Sequence, residues 1–157
     1  MENYNIRKAR IKDLEKIVAL SYKSAILHQK LTPYYKVSKD LKEVLFRSLK
    51  KNIHSSNSCI LLAEEDGKMI GYLLAFKIDR LEMFEVKEVG FIADIFIEEG
   101  KRRMGVGEKL LKKCYNWFKE KNINFVEINV QILNKEAISF WNKKGFKDFS
   151  IQKYKKI

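Results

Sequence analysis

The sequence from Asp94 to Lys113, DIFIEEGKRRMGVGEKLLKK, decides the fold because it joins a strand pattern to a helix pattern through a glycine-containing turn. The apolar run from Phe91 to Ile97 is typical of a buried strand. Gly105 and Gly107 would let the backbone approach a ligand closely, and a helix beginning there would present the free N–H groups of its first turn. Basic residues precede both glycines, so the stretch predicts a binding site for a phosphate or pyrophosphate group.

Two other phosphate-binding loops do not fit this stretch. A P-loop requires Gly-Lys-Ser/Thr after its glycines, and the sequence contains no such tripeptide. The dinucleotide-binding fingerprint fits at Gly105 and Gly107, but Leu110 occupies the position of its third glycine. Too much sequence also precedes the motif for it to be the first turn of a dinucleotide-binding fold. A glycine-rich turn that binds no ligand is the simplest alternative.

Residues 134–146, NKEAISFWNKKGF, form a second motif, which lies one helix and one strand downstream of the first. Together with RRMGVG at residues 102–107, it resembles the two hallmark motifs of the GNAT superfamily of N-acetyltransferases. The shared features are an Arg-x-x-Gly-x-Gly loop, and an Asn followed by Ala, an aromatic pair and Gly-Phe. The resemblance covers nearly the whole chain and implies a single GNAT-like α/β domain, residues 1–157, with a mixed, largely antiparallel sheet flanked by helices.

Periodicity and turn residues predict the order β-α-α-β-β-β-α-β-α-β, which is also the order that the resemblance implies. Strands are predicted over residues 4–9, 59–64, 69–78, 85–97, 125–130 and 146–154. Helices are predicted over residues 13–23, 107–119 and 137–144, and over the segment that follows Ser38 as its N-cap. Asp66-Gly67 predicts a hairpin turn, and Gly145 predicts the end of the last helix.

The composition is that of one globular domain in a reducing, cytoplasmic compartment. The chain has 157 residues, 46% of them hydrophobic, and its N-terminus lacks the basic and apolar regions of a signal peptide. No apolar run is long enough to span a bilayer, so no membrane partner is expected. The two cysteines, Cys59 and Cys114, fall in a predicted strand and a predicted helix, where each is expected to be a small buried apolar residue.

The net charge of +12 is spread over every segment and therefore indicates solvated surface more than one binding patch. The sequence has no helix-turn-helix, zinc or aromatic RNA-binding signature, which argues against a nucleic-acid partner. The cysteines also lack the spacing of a metal site. A homodimer is left open by the sequence.

The resemblance implies acetyl-CoA as co-substrate, with no metal. In this family the pantetheine arm pairs with the backbone of the strand before the loop, and the next strand diverges to open a cleft. The residues that would bind the cofactor are Ile95, Phe96, Ile97, Arg102, Arg103, Met104, Gly105, Val106, Gly107, Glu108, Asn134 and Trp141. Structural alternatives exist for four of these positions, since Ile95–Ile97 would also pack in a core and Asn134 would also cap a helix. Lys144 would either meet an adenosine phosphate or complement a helix dipole.

The reaction implied by the resemblance is direct attack of an amine on the acetyl thioester in a ternary complex, which requires a group that removes a proton. Asp94 is the candidate base, because it lies on the strand beside the expected thioester. Strict alternation places it opposite Ile95 and Ile97 and on the same face as Ile92 and Phe96. A purely structural carboxylate is the alternative interpretation. Further candidate bases are Glu88 and Glu127.

The proton donor for the leaving thiolate is less well defined, because Trp141 stands where many members of the family carry a tyrosine. An indole N–H donates a hydrogen bond but is not a useful acid near neutral pH. Either the thiolate leaves unaided, or Tyr154 or Tyr115 supplies the proton. Residues 26–37 break the helical pattern. The acceptor site is expected to be built by residues 26–35 and by the strand ends near residues 81–86, and would be lined by Tyr34, Tyr35 and His28.

The sequence therefore predicts an N-acetyltransferase that acts on a primary amine of a small molecule or peptide. The alternative is a non-catalytic acyl-CoA-binding or regulatory domain that keeps the fold. Trp141 at the usual tyrosine position is the feature that favours this alternative.

Overall fold

A mixed five-stranded sheet organises residues 4–157, which the computed structural model describes. Residues 1–3, on which the expectation of no signal peptide partly rests, lie outside the described residues. The strands are β1 (Tyr4–Lys8), β2 (Ser58–Glu65), β3 (Lys68–Asp79), β4 (Glu88–Ile97) and β5 (Val126–Ile128). They lie side by side in chain order, with β1 to β4 antiparallel and β5 parallel to β4. The predicted fold class is confirmed.

The described residues also form four α-helices, on the two faces of this sheet. They are α1 (Leu14–Leu31), α2 (Leu41–Ile53), α3 (Val106–Glu120) and α4 (Lys135–Lys143), with short 3-10 turns at Ile11–Asp13, Pro33–Tyr35 and Glu99–Lys101. Helices α1 and α2 pack on one face, and α3 and α4 contribute to the apolar cluster on the other. The predicted inner face of α3 is buried throughout, at Leu110, Leu111, Cys114 and Phe118. None of the described helices is both long and apolar enough to cross a membrane.

The two cysteines lie in the α3-side cluster and form no disulfide. Burial raises the pKa of the Cys59 thiol to about 11 and also raises that of Cys114. Both thiols therefore stay protonated near neutral pH, as small apolar residues would. The predicted role of the cysteines is confirmed.

Helix α1 is longer than predicted, since it ends at Leu31 rather than at Lys23. The sequence offers no helix breaker before Pro33, and Thr32, which precedes that proline, is extended at φ −157° and ψ 138°. The spacing of apolar residues breaks down before Leu31 because the buried face of α1 becomes polar at Ser21 and Ser24, not because the helix ends. Helix α2 begins after Asp40, not after Ser38.

The predicted strand over residues 146–154 is not formed, and the described chain contains no helix or strand after Lys143. The alternation of Phe149 and Ile151 indicated a strand, but both side chains are exposed. A strand needs a paired neighbour, and β5 offers only three paired residues. Gly145, at φ +85°, ends α4 as predicted.

A β-bulge in β4 changes which face its side chains occupy. Leu74 pairs with Asp94 while the next residue of β3, Ala75, pairs with Ile92, so Ala93 is the extra residue. Ile92 consequently packs in the α3-side cluster, whereas Phe96 packs on the α1 and α2 side. The prediction that Ile92 shares a face with Asp94 is therefore wrong, because strict alternation assumed an unbroken strand.

We expect Gly71→Ala to lower stability by about 1–3 kcal/mol, the cost typical of overpacking. A Cβ at Gly71 would lie 2.7 Å from the backbone oxygen of Phe96 and 2.7 Å from Cδ1 of Ile97. The backbone oxygen cannot move without disturbing β4. Thermal unfolding should show a lower Tm than the wild type. Gly100→Ala is the matched control, because its Cβ would enter open space and should leave Tm unchanged. Equal Tm values for both variants would contradict this close packing.

Candidate active site

The carboxylate of Asp94 is held by two hydroxyl groups immediately after the bulge in β4. Ser24 Oγ, on α1, donates to Asp94 Oδ1 at 3.0 Å, and the Tyr72 hydroxyl, on β3, donates to Oδ2. Tyr72 lies opposite Phe96 in the β3–β4 register, so it is the diagonal neighbour of Asp94 on the same face. Three elements that are far apart in sequence thus converge on one half-buried carboxylate.

Burial raises the pKa of Asp94 above the usual range of an aspartate. The hydrogen bonds from Tyr72 and Ser24 and the electrostatic influence of His28 oppose this shift without cancelling it. Burial and the neighbouring carboxylate raise the pKa of Tyr72 well above its usual value, so its hydroxyl stays protonated. Asp94 is therefore a stronger base than an exposed aspartate, and Tyr72 acts as a fixed hydrogen-bond donor.

Ser21, Ser24 and His28 were not connected to Asp94 by the sequence analysis. They continue the buried face that Leu14 and Ile17 begin, at spacings of three and four residues along α1. Ser21 and Ser24 are both buried, and Ser21 lies close enough to Tyr72 to oppose the rise in the pKa of its hydroxyl. The available signal was the presence of serines on the otherwise apolar face of this helix. A buried hydroxyl requires a polar partner, so these serines indicate that polar side chains lie opposite them.

Gln131 is a further residue that sequence reasoning missed. It follows the end of β5 by three residues, and its Nε2 lies 3.2 Å from Nδ1 of His28 on α1. Its Oε1 is buried and has no hydrogen-bond partner among the described residues. His28, a candidate acceptor-site residue, therefore joins the chain that follows β5 to the helix that also carries Ser24.

The edge of β4 becomes accessible beyond the bulge, because its pairing with β5 ends at Ile92 and Ile128. The opposite edge of β4 stays paired with β3 as far as Ile97. Phe96 packs toward α1 and α2, while Ile95 and Ile97 pack toward α3. This geometry matches the strand divergence that the resemblance implies. The backbone contacts predicted for Ile95–Ile97 remain a prediction.

The glycine loop delivers free amides to the start of α3. Gly105 is the N-cap residue at φ +78°, and Arg103, two residues before it, is also left-handed at φ +61°. The first helical bond runs from Lys109 N to Gly105 O at 3.1 Å, so the amides of residues 106–108 have no carbonyl partner within the helix. No side chain caps them either, among the described residues. Such a helix start attracts a phosphate group.

The two arginines of the loop are in different environments. Arg102 Nε donates to the carbonyl oxygen of Ile97 at 3.1 Å, and its guanidinium lies 3.5 Å from the carboxylate of Glu136 on α4. Arg102 therefore ties the loop to the end of β4 and to α4. Arg103 is exposed, as is Met104. Arg103 is thus the arginine of this loop whose charge faces solvent.

The second motif has structural contacts at both of its predicted binding residues. Asn134 Oδ1 accepts from the amide of Ala137 at 3.0 Å, so Asn134 is the N-cap of α4. Trp141 is 7% exposed and packs edge-on against Phe140 and Phe146 in the α3-side cluster. Cofactor contacts by Asn134 and Trp141 remain predictions. Lys144 Nζ lies 3.1 Å from a carboxylate oxygen of Glu108, at the start of α3.

The alternative bases are engaged in ion pairs on the sheet. Glu88 pairs with Lys77 on the neighbouring strand, and Glu127 pairs with Arg80. Each of these carboxylates is thus held by a basic side chain, whereas the carboxylate of Asp94 is held by the hydroxyls of Ser24 and Tyr72. The geometry therefore favours Asp94 among the three candidates.

The candidate tyrosines lie apart from Asp94. Tyr154, which is 67% exposed, stacks on Tyr34 with ring centroids 4.4 Å apart. Tyr34 and Tyr35 are exposed on the loop after α1 and meet edge to face at 5.4 Å. Tyr115 packs against the α3-side cluster, across the sheet from Asp94. The structure thus brings Tyr154 to the predicted acceptor loop rather than to the carboxylate.

Comparison with known proteins connects this geometry to a family. Residues 24–146 match the model of the Acetyltransferase (GNAT) family. An N-alpha-acetyltransferase of Sulfurisphaera tokodaii is 26% identical over 162 residues, which cover 98% of this chain and 86% of the relative. An uncharacterised N-acetyltransferase of Methanocaldococcus jannaschii is 27% identical over 153 residues. That match covers 98% of this chain but only 65% of the relative's length.

A solved structure gives the same result for the fold. The predicted acetyltransferase with acetyl-CoA from Clostridium acetobutylicum superimposes with a TM-score of 0.80 at 21% identity, covering 98% of this chain and 96% of that one. At this identity the likeness concerns the fold. The family match, by contrast, extends over most of the sequence and includes both motifs. The chain therefore belongs to the acetyltransferase (GNAT) family and is an acyltransferase.

Proposed function

We propose that this acyltransferase moves an acetyl group from acetyl-CoA to a primary amine, by direct attack of the amine in a ternary complex. The observation that carries this proposal is the carboxylate of Asp94, held by Ser24 and Tyr72, with a pKa raised by burial. It lies immediately after the bulge at which β4 loses its β5 neighbour. A base in this position could remove a proton from an amine that approaches the open edge of β4.

The chain's own residues fit acetyl-CoA at two places. The unpartnered amides of residues 106–108 and the exposed Arg103 would bind the pyrophosphate. The free edge of β4 from Ile95 to Ile97 would pair with the amides of the pantetheine arm. A Cβ at Gly107 would lie in ordinary van der Waals contact with Phe140, 3.5 Å from its Cζ, so the start of α3 packs closely against α4. Acetyl-CoA would supply the thioester that carries the acyl group.

In the proposed reaction, Asp94 accepts one proton from the attacking amine as the new N–C bond forms and the C–S bond breaks. Ser24 and Tyr72 fix the carboxylate and keep one orientation available to the amine. Trp141 cannot protonate the leaving sulfur, and Tyr154 contacts Tyr34 instead of Asp94. A thiol has a pKa near 8.5, so we propose that the thiolate leaves unaided and takes a proton from water.

A two-step assay tests this function. Titration with acetyl-CoA by calorimetry should give a micromolar Kd. Release of free CoA should then be followed with a thiol reagent in the presence of spermidine, kanamycin, lysine, benzylamine and a peptide with a free N-terminus. The name of the Sulfurisphaera relative is the reason to include the peptide. We expect saturable CoA release with at least one primary amine.

Two outcomes would contradict the proposal. Acetyl-CoA binding without CoA release from any amine would favour the non-catalytic alternative in the conditions tested. Failure to bind acetyl-CoA would mean that the loop before α3 is retained only as part of the fold.

A further inference from the structure

Arg103 adopts a backbone conformation that is unfavourable for a residue with a side chain. Its φ of +61° lies in the left-handed region, which costs free energy for any residue other than glycine. Gly105, two residues later, adopts the same region at φ +78° without that cost. A strained residue keeps such a conformation only when its surroundings hold it there. The loop before α3 therefore depends on contacts made by the residues around Arg103.

Two side chains hold this loop, one on each side of Arg103. Before it, Arg102 Nε donates to the carbonyl oxygen of Ile97 at 3.1 Å and ties the loop to the end of β4. After it, the hydroxyl of Tyr4, on β1, donates to the carbonyl oxygen of Met104 at 3.1 Å. Tyr4 and Met104 are 100 positions apart in sequence, so no local pattern reveals this second contact.

The hydrogen bond from Tyr4 fixes one peptide plane of the loop. A trans peptide is planar, so the N–H of Gly105 points away from the direction of the Met104 carbonyl. Rotation of this plane would turn both groups together and would change the φ angle of Gly105. The hydroxyl of Tyr4 therefore opposes any rotation that takes Gly105 away from φ +78°. Because Gly105 is the N-cap of α3, the same hydrogen bond helps to orient the free amides of residues 106–108.

The ring of Tyr4 makes a separate contact with the first turn of α3. Lys109 Nζ lies 4.6 Å from the centroid of the Tyr4 ring, and Lys109 N forms the first helical bond, to Gly105 O. The ring also packs against the α3-side cluster. The hydroxyl thus reaches the loop and the ring reaches the helix, so removal of one oxygen atom separates the two contacts.

We propose that Tyr4 is a positioning residue for acetyl-CoA, and that its hydroxyl holds the glycine loop in the conformation that binds the pyrophosphate. This inference rests on the proposed function, because it concerns the same co-substrate. No contact between Tyr4 and acetyl-CoA is required. The hydroxyl raises the fraction of molecules in which Arg103 and the amides of residues 106–108 are arranged for binding, and the apparent affinity is proportional to that fraction.

The test compares two ligands, only one of which contains the pyrophosphate. Acetyl-CoA contains it, whereas S-acetylpantetheine keeps the thioester arm and lacks it. Tyr4→Phe removes the hydroxyl and keeps the ring, so the packing against α3 should persist. Calorimetric titration should give a Kd for acetyl-CoA that is about 3- to 10-fold higher than that of the wild type, as the loss of one ordinary hydrogen bond allows. A displacement titration should give an unchanged Kd for S-acetylpantetheine.

Tyr22→Phe is the matched control, because it makes the same chemical change at a ring that also faces a lysine. Lys42 Nζ lies 5.0 Å from the centroid of the Tyr22 ring, on the α1 and α2 side of the sheet. Its Kd for each ligand should equal that of the wild type. The Tm of both variants should stay close to the wild-type value, which shows that the fold is intact.

A second variant tests whether the hydroxyl acts by holding a strained conformation. Asparagine tolerates a left-handed φ better than arginine does, so in Arg103→Asn the loop should depend less on Tyr4. Arg103→Asn alone should weaken acetyl-CoA binding, because a positive charge is lost. Addition of Tyr4→Phe to Arg103→Asn should then weaken binding by a smaller factor than in the wild-type background. An undiminished factor would contradict the proposed role.

The outcomes distinguish this inference from the proposed function. A wild-type Kd for acetyl-CoA in Tyr4→Phe, with or without a lower Tm, would overturn the inference and show that the hydroxyl serves only the fold. An equal loss of affinity for both ligands would also overturn it, because the effect would then lie outside the pyrophosphate. In both cases the proposed function stands if the wild type binds acetyl-CoA and releases CoA with an amine. If the wild type does not bind acetyl-CoA, the proposed function fails and the inference fails with it.

Discussion

Asp94→Asn should lower kcat by about 100-fold or more, while the Kd for acetyl-CoA changes less than about twofold. A positioned general base contributes roughly 10²–10⁴ in rate, and an amide cannot accept the proton. The asparagine is nearly isosteric and can still accept a hydrogen bond from Ser24 or Tyr72, so the local structure should persist. The effect should therefore appear in turnover rather than in binding of the co-substrate.

The pKa shift of Asp94 gives this prediction a second readout. Burial raises the folded-state pKa above the unfolded value, so the native protein binds this proton more tightly than the unfolded chain does. The stability associated with the group is fully present below the unfolded pKa and is lost as the pH rises through the folded pKa. Asparagine resembles the neutral acid. At pH 7, Asp94→Asn should thus have an equal or higher Tm, and the difference from the wild type should shrink as the pH is lowered.

The pH dependence of turnover should change in the same variant. In the wild type, kcat/KM should fall at low pH as Asp94 becomes protonated, because the acid form cannot take the amine proton. This limb should be absent from the residual activity of Asp94→Asn. Asp79→Asn, at the exposed end of β3, is the matched control and should retain wild-type turnover. Unchanged turnover in Asp94→Asn would show that the carboxylate is structural and that the base lies elsewhere.

The elements around the glycine loop could be predicted because their signals are local. Helix α3 begins within one residue of its predicted start, and its apolar spacing identified the buried face. The hairpin between β2 and β3 was identified by Asp66-Gly67, which both have positive φ as a two-residue turn requires. In each case the residues that fix the conformation are neighbours in sequence.

The contacts around Asp94 could not be predicted in the same way. Its partners Ser24 and Tyr72 are 70 and 22 positions away in sequence, and no local pattern connects them. The bulge at Ala93 also reverses the alternation that assigned Ile92 to the same face as Asp94. A bulge depends on the pairing of two strands, so the sequence of β4 alone does not reveal it. Gln131 was missed for the same reason, since its partner His28 lies on α1.

The buried serines show how one of these contacts could have been found. The first helix was predicted to end at Lys23 because residues 26–37 were interpreted as breaking the helical pattern, although α1 continues to Leu31. A continuing helix with Ser21 and Ser24 on its buried face requires polar partners on the sheet. Tyr72 and Asp94 are polar side chains of the sheet that meet this requirement. Buried polar residues on an otherwise apolar helix face are thus a sequence signal for a functional site.

Gly105→Val should weaken acetyl-CoA binding by about 100-fold or more, which corresponds to about 2.7 kcal/mol. Gly105 adopts φ +78°, a left-handed conformation that costs an ordinary residue about 1–2 kcal/mol and a β-branched residue more. Because Gly105 is the N-cap of α3, relief of this strain would reorient the amides of residues 106–108. Those amides are the groups proposed to bind the pyrophosphate. Calorimetric titration with acetyl-CoA measures the effect directly.

Two other glycine variants identify the cause of that loss. Gly100→Val lies in the same loop, has open space for its Cβ and has no positive φ, so its Kd should equal that of the wild type. Gly107→Val tests the effect of added side-chain volume rather than of backbone strain. A Cβ at Gly107 would point toward Phe140 and Ile95, and Gly107 has no positive φ. If the helix start binds the pyrophosphate closely, Gly107→Val should also weaken acetyl-CoA binding strongly. Wild-type affinity in both Gly105→Val and Gly107→Val would show that acetyl-CoA does not use the amides at the start of α3.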